Sequence, residues 1–170
     1  MTVTGMIEPG EYKIERVFDA PAALVWRTWT EPDLVAKWYG PGVETVIHEM
    51  DVKPGGVWKV EMRWGENAMF QRADYTDVDS GAKLVWLHAS TDADWQITTN
   101  PMMPDWPRIL LTTVTFVETA GKTHLCLTWV PHNATEAEIA FFKQAIDGAN
   151  KGWAAGMDML AELLKDLQVS

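Results

Sequence analysis

The chain has 170 residues, of which 47% are hydrophobic and 22% charged, and its net charge is −10. This length and composition predict one globular domain and exclude an intrinsically disordered chain. The acidic balance, with no run of basic residues, argues against nucleic acid as a partner, because phosphate binding depends on clustered Lys and Arg.

The sequence predicts a flexible N-terminal tail over residues 1–10 and a single domain over residues 11–170. The tail lacks a basic segment followed by an apolar one, so no signal peptide is predicted. No run of 18 apolar residues predicts a membrane span. Cys126 is the one cysteine, so no internal disulfide can form, and the expected location is the cytoplasm.

Alternating apolar residues predict a first strand over residues 12–18, and two short helices follow it. Pro21 suits the first turn of the first helix. Thr30, three residues before Asp33, is predicted to cap the second helix, which Gly40-Pro41-Gly42 ends. This helical corner lacks the basic recognition helix that DNA binding requires.

Six further strands are predicted, at residues 43–52, 57–64, 68–78, 83–90, 109–118 and 123–130. The clearest alternation gives one apolar face, formed by Trp58, Val60, Met62 and Trp64. Short turns between most of these strands favour an antiparallel meander with one buried face.

The segment 91–107 interrupts this rhythm, because its prolines exclude regular structure. It carries four large apolar side chains, Trp95, Met102, Met103 and Trp106. Two interpretations remain open. The segment forms a lid or rim wall over an apolar pocket, or it plugs a gap at the rim of the sheet.

A long C-terminal helix is predicted to begin at a capping box formed by Thr135 and Glu138. Its apolar stripe recurs at spacings of three and four, at Ile139, Phe142, Ile146, Ala149, Trp153, Met157, Leu160, Leu164 and Leu167. Gly148, Gly152 and Gly156 lie four residues apart, and each costs about 1 kcal/mol of helix stability relative to Ala. They indicate close backbone approach, a bend, or space left for another group.

Several motifs accompany this order of elements: Arg16-Val17-Phe18-Asp19-Ala20-Pro21, Val25-Trp26, Trp38-Tyr39-Gly40-Pro41, Asp51-Val52-Lys53-Pro54-Gly55-Gly56-Val57-Trp58, Val114-Thr115-Phe116, Gly121-Lys122-Thr123 and Gly152-Trp153. Over residues 11–168 their order resembles the START-like (SRPBCC) superfamily, in the branch named after the C-terminal domain of the activator of Hsp90 ATPase. The resemblance implies an α+β helix-grip fold. In it a curved antiparallel sheet of about seven strands wraps around a long C-terminal helix, with two short helices after the first strand.

The resemblance also implies an apolar cavity between sheet and helix, and a small apolar or aromatic molecule as partner. Two alternatives stay open: a co-chaperone-like module that interacts with an Hsp90 homologue, and a cyclase- or hydrolase-type enzyme that uses the same cavity. The full eukaryotic co-chaperone has a further N-terminal domain where this chain has its tail. This difference argues against an Hsp90 homologue as the partner. The oligomeric state is not fixed, and a homodimer stays open.

Residues assigned to inner faces form the predicted ligand-binding set: Trp58, Met62, Phe70, Trp86, His88, Phe116, Trp129, Trp153 and Met157. These side chains either fill the core or leave an open pocket. His88 is the polar member, and it can orient a ligand or act as an acid or base. Arg72 shares a strand face with Phe70 and either lies on the surface or places a cation near the cavity. The chain has no phosphate loop, no nucleophile elbow and no metal-ligand spacing, so no catalytic residue, metal or cofactor is predicted.

Overall fold

The computed structural model describes residues 4–6 and 11–169. In chain order its elements are β1 (Thr4–Met6), β2 (Tyr12–Phe18), α1 (Ala22–Thr30), α2 (Pro32–Trp38), β3 (Glu44–Met50), β4 (Val57–Trp64), β5 (Asn67–Asp79), β6 (Lys83–Thr91), β7 (Ile109–Thr119), β8 (Lys122–Pro131) and α3 (Glu136–Leu167). The seven predicted strands and three predicted helices are all present. The predicted α+β helix-grip architecture is therefore confirmed.

The eight strands form one antiparallel sheet in the order β1-β2-β8-β7-β6-β5-β4-β3. From β3 to β8 each strand pairs with the next along the chain, which confirms the predicted meander. Between β7 and β8, Val114 pairs with Leu127 and Phe116 with Leu125. Breaks in register within β3 and β5 mark bulges, which bend a sheet and increase its twist.

The N-terminal segment differs from the prediction of a tail over residues 1–10. Thr4–Met6 forms the short edge strand β1, which pairs antiparallel with the start of β2. Three residues are too few for alternation to reveal a strand, and pairing with β2 supplies the hydrogen bonds that favour it. The rest of the predicted tail, residues 1–3 and 7–10, lies outside the described residues.

The two short helices form the predicted corner, but the cap of α2 differs from the prediction. Its N-cap is Glu31, without a side-chain hydrogen bond, and Pro32 occupies the first turn, a position that suits its fixed φ. The Thr30 hydroxyl instead donates to the carbonyl oxygen of Trp26 in α1, at 2.9 Å. The indole N–H of Trp38 donates to the carbonyl oxygen of Thr28 at 2.7 Å and ties the two helices together.

Helix α3 begins at the predicted capping box. The Thr135 hydroxyl accepts a hydrogen bond from the backbone N–H of Glu138 at 3.1 Å, and the Glu138 carboxylate accepts one from the N–H of Thr135 at 2.9 Å. The helix packs on α1, α2, β2 and β8 through a buried stripe formed by Phe142, Ile146, Trp153, Met157, Leu160 and Leu164. Within the described ranges, no helix is long and apolar enough to cross a membrane.

Thr135→Ala is expected to lower the free energy of unfolding by about 1 kcal/mol, because the N–H of Glu138 loses its acceptor. In a chain of this size that loss lowers Tm by roughly 2–4 °C. Thr135→Ser keeps the hydroxyl and is the matched control. Thermal unfolding of both variants checks the prediction, and equal losses in the two would contradict it.

Candidate functional site

The glycines of α3 determine where the helix touches its neighbours and where it does not. A Cβ added at Gly156 would lie 3.6 Å from the carbonyl oxygen of Trp38, so the helix passes close to α2 there. A Cβ added at Gly148 or Gly152 would meet nothing within 4 Å. Close approach and open space, two of the interpretations that the sequence allows, therefore hold at different glycines of the same row.

The open space beside Gly148 and Gly152 is a cavity with two adjoining compartments, of about 570 Å³ and about 190 Å³. The larger compartment alone has the size of pockets that hold small organic ligands. Both compartments are lined by Met62, Gln71, His88, Trp129, Ala149 and Gly152. These shared residues join the inner face of the sheet to the middle of α3.

Four of the nine predicted ligand-binding residues line this cavity: Met62, His88, Trp129 and Trp153. The Trp129 ring lies edge-on to that of Trp153, with centroids 5.5 Å apart, and 6.0 Å from the imidazole of His88. These rings form an aromatic corner between β8, β6 and α3.

Four others have buried side chains that pack in the core instead of lining the cavity: Trp58, Trp86, Phe116 and Met157. They lie toward the helical corner, whose Trp29 ring is 6.3 Å from that of Trp86. Trp29 also stacks on Trp153, with centroids 6.2 Å apart and an interplanar angle of 11°. Aromatic rings therefore fill one end of the space between sheet and helix, and the cavity occupies the other.

The structure places Phe70, the ninth predicted residue, on the opposite face of the sheet. In β4–β5 pairing, Met69 faces Met62 on the cavity side, so the next residue, Phe70, points away. Its ring packs edge-on against that of Trp95 at 5.4 Å. Arg72 shares this outer face and forms an ion pair with Asp74 at 2.7 Å, so of its two interpretations the structure favours the surface position.

The segment between β6 and β7 divides into two parts. Trp95, whose backbone φ is 65°, packs on Phe70 at the outer face of the sheet. Met103 and Trp106 instead line the larger compartment. The structure therefore favours the rim wall over the plug. The end of this segment is tied to α3, because the Glu138 carboxylate accepts a hydrogen bond from the backbone N–H of Arg108 at 3.0 Å.

A hydrogen-bonded network crosses the cavity wall. The indole N–H of Trp86 donates to Nδ1 of His88 at 3.3 Å, and Nε2 of His88 lies 3.0 Å from Oε1 of Gln71. The Tyr39 hydroxyl donates to the same oxygen at 3.1 Å. Burial lowers the pKa of His88 to about 4 and raises that of Tyr39, so both side chains are neutral at pH 7.

The sequence did not identify Gln71, Tyr39 or Trp106 as site residues. Gln71 belongs to no motif, and Tyr39 belongs to the Trp38-Tyr39-Gly40-Pro41 motif, which indicates the fold and not a ligand contact. They face the cavity because of strand register and the turn after α2. Trp106 has a sequence signal, since it lies in the proline-rich segment for which the sequence allows a rim wall or a plug. Among the described residues, no group of three His, Cys, Asp or Glu side chains could hold a metal ion.

Comparison with protein-family models matches residues 19–165 to the activator of Hsp90 ATPase homolog 1-like protein family. A search of curated protein sequences finds no match.

Several solved structures of bacterial proteins share the fold. Protein Ms6760 from Mycobacterium smegmatis is 21% identical, with a TM-score of 0.79 over 96% of this chain and 97% of its own. A protein from Staphylococcus epidermidis is 21% identical, with a TM-score of 0.77 over 97% and 95%. Protein NE0264 from Nitrosomonas europaea is 23% identical, with a TM-score of 0.73 over 96% and 100%. At these identities the likeness shows the fold alone.

Proposed function

The chain belongs to the activator of Hsp90 ATPase homolog 1-like family, and on that premise we propose that it binds a small hydrophobic or aromatic molecule in the cavity between the sheet and α3. The observation that carries this proposal is the space beside Gly148 and Gly152, where a helix that could have packed on the sheet leaves a volume of about 570 Å³. An unfilled apolar volume of this size forfeits packing energy, which a bound apolar ligand would restore.

The proposed contacts come from the cavity walls. Met62, Trp129 and Trp153 supply apolar and aromatic surface from three elements, and Trp106 closes the rim. Aromatic side chains favour edge-on or offset contact with an aromatic ligand, and such pairs contribute roughly 0.5–1.5 kcal/mol beyond area burial. Trp58, Trp86, Phe116 and Met157 support these walls from behind.

The state of His88 favours binding over acid or base catalysis. Both of its ring nitrogens have hydrogen-bond partners, Trp86 and Gln71. With a pKa of about 4, its imidazole is a weak base at pH 7, far from the value that suits general catalysis at that pH. We therefore propose that His88 positions the neighbouring amide group of Gln71 and does not act as an acid or base.

Tryptophan fluorescence offers a direct test, because four tryptophans line the cavity: Trp38, Trp106, Trp129 and Trp153. Titration with 2-acetylnaphthalene, a neutral aromatic ketone, is expected to quench the emission saturably at one molecule per chain. We expect a Kd of roughly 1–100 µM, which corresponds to roughly −8 to −5.5 kcal/mol. Native mass spectrometry of protein purified from its own host provides a second readout.

Two outcomes would contradict the proposal: no saturable quenching by any neutral naphthalene derivative, or stoichiometry well above one. Stimulation of an Hsp90 homologue's ATPase activity, unaffected by filling the cavity, would favour the co-chaperone alternative instead.

A further inference from the structure

Trp86 sets the direction of every hydrogen bond in the cavity network. An indole N–H can only donate, so Nδ1 of His88, 3.3 Å away, must accept. His88 is buried and neutral, because desolvation lowers its pKa to about 4. Its single proton therefore resides on Nε2, and this nitrogen donates to its neighbour at 3.0 Å, Oε1 of Gln71.

The orientation of the Gln71 amide follows from this tautomer. Nε2–H of His88 requires the amide oxygen as its partner, and the Tyr39 hydroxyl donates to that same oxygen at 3.1 Å. Burial raises the pKa of Tyr39, so its hydroxyl keeps the proton that it donates. Both lone pairs of the amide oxygen are thereby occupied. The NH₂ group is left with Sδ of Met69 at 3.5 Å, a weak acceptor.

Other donors of the wall are also unused. Oδ1 of Asn100, a residue 4% exposed, accepts the backbone N–H of Met102 at 2.9 Å. Among the described residues, nothing accepts a hydrogen bond from its NH₂ group. The indole N–H of Trp129 likewise has no acceptor there, but its nitrogen is shielded from the cavity by neighbouring atoms. Gln71 and Asn100 both line the larger compartment, so its wall holds spare amide donors while its amide oxygens are engaged.

Charge narrows the ligand class further. Of the described residues that line either compartment, none is Lys, Arg, Asp or Glu. An ionised ligand would lose its hydration there without gaining a counter-charge, which is strongly unfavourable.

We propose that the cavity selects neutral aromatic ligands that carry a carbonyl-type acceptor, and that the preorganised NH₂ group of Gln71 donates to this acceptor. This inference rests on the proposed binding function and adds the chemical class of its ligand. Preorganisation matters because the amide is held by His88 and Tyr39 before the ligand arrives, so little orientational freedom is lost on binding.

Three matched probes test the inference: 2-acetylnaphthalene, 2-ethylnaphthalene, which lacks the oxygen, and 2-naphthoate, which is an anion. Their dissociation constants are measured for the full chain and for two variants. Gln71→Glu keeps the oxygens that accept from His88 and Tyr39 but has no NH₂ group. Gln71→Met keeps the volume without introducing a charge, which protects the test if the carboxylate perturbs folding.

We compare the Kd for 2-ethylnaphthalene with the Kd for 2-acetylnaphthalene. The ratio of the first to the second is expected to fall by roughly two- to tenfold in both variants, because each loses one neutral hydrogen bond to the ketone. The unsubstituted chain is expected to bind 2-naphthoate at least about tenfold more weakly than the ketone. An unchanged ratio in the variants, or tighter binding of the anion, would overturn the selectivity while leaving the binding function intact. Failure of all three probes to bind the unsubstituted chain would instead overturn the binding function, and the inference with it.

Discussion

Gly152→Leu is expected to abolish binding of 2-acetylnaphthalene while leaving the fold at least as stable. An added Cβ at this position meets nothing within 4 Å, and Gly152 lines both compartments. A leucine side chain therefore extends into the space that the ligand would occupy. For a probe that binds at about 10 µM, the expected loss is the whole binding free energy, roughly 7 kcal/mol.

The stability of the same variant is expected to change in the opposite direction. Leucine has a better helix propensity than glycine, by roughly 0.5–1 kcal/mol in a helix interior, and it fills unoccupied volume. For a chain of this size, the expected change in Tm is an increase of roughly 1–4 °C. Loss of binding therefore cannot be attributed to unfolding.

Two control variants make the result specific to the cavity. Lys151→Leu adds the same side chain one residue earlier, at an exposed position of α3 that does not line the cavity, and it is expected to bind as the unsubstituted chain does. Gly152→Ala adds one methyl group and is expected to have an intermediate effect. Fluorescence titration and thermal unfolding measure both properties, and normal binding by Gly152→Leu would exclude the cavity as the binding site.

Apart from the short edge strand β1, the elements of this fold were predictable because each has a local signal. Residues that alternate along β4 indicate a half-buried strand without reference to its neighbours. The capping box at Thr135 and Glu138 fixes the start of α3 from four consecutive residues. Short turns then limit how consecutive strands can pair, so the meander follows from the chain order.

The cavity wall was less predictable because it depends on strand register. The bulge between Tyr75 and Asp77 adds one residue to β5 and exchanges the two strand faces on either side of it. Val78 and Tyr75 consequently pack on the same core side, although their positions differ in parity. A face extrapolated from Val78 along the strand therefore assigns Phe70 to the cavity, whereas the structure places Gln71 there.

Acid is expected to destabilise the fold through His88, by roughly 3 kcal/mol between pH 6.5 and pH 4. Burial lowers its pKa from the ordinary 6.5 to about 4 in the folded chain. Between these values the unfolded chain binds a proton that the folded chain does not bind, so stability falls as the pH falls. Above pH 6.5 and below pH 4, His88 contributes no pH dependence. The magnitude follows from about 1.4 kcal/mol for each pH unit of difference.

Urea unfolding from pH 7.5 to pH 4 measures this loss, and His88→Gln identifies its source. Glutamine can accept from the Trp86 indole and donate to Gln71, so the variant retains the polarity of the network while removing the titrating group. The variant is expected to lose roughly 3 kcal/mol less stability over this range than the unsubstituted chain. His124→Gln, at a half-exposed position on β8, is the matched control and is expected to leave most of the slope unchanged.

NMR titration of the imidazole distinguishes the proposed origin from a general effect of acid on the carboxylates. If His88 titrates near pH 6.5 in the folded chain, its ring is solvated, and the fixed tautomer that orients Gln71 does not exist. If it remains unprotonated at pH 5, the Nε2–H donor persists throughout the neutral range. Ligand selectivity and acid sensitivity would then have the same cause, a neutral imidazole that is buried in the cavity wall and held by the Trp86 indole.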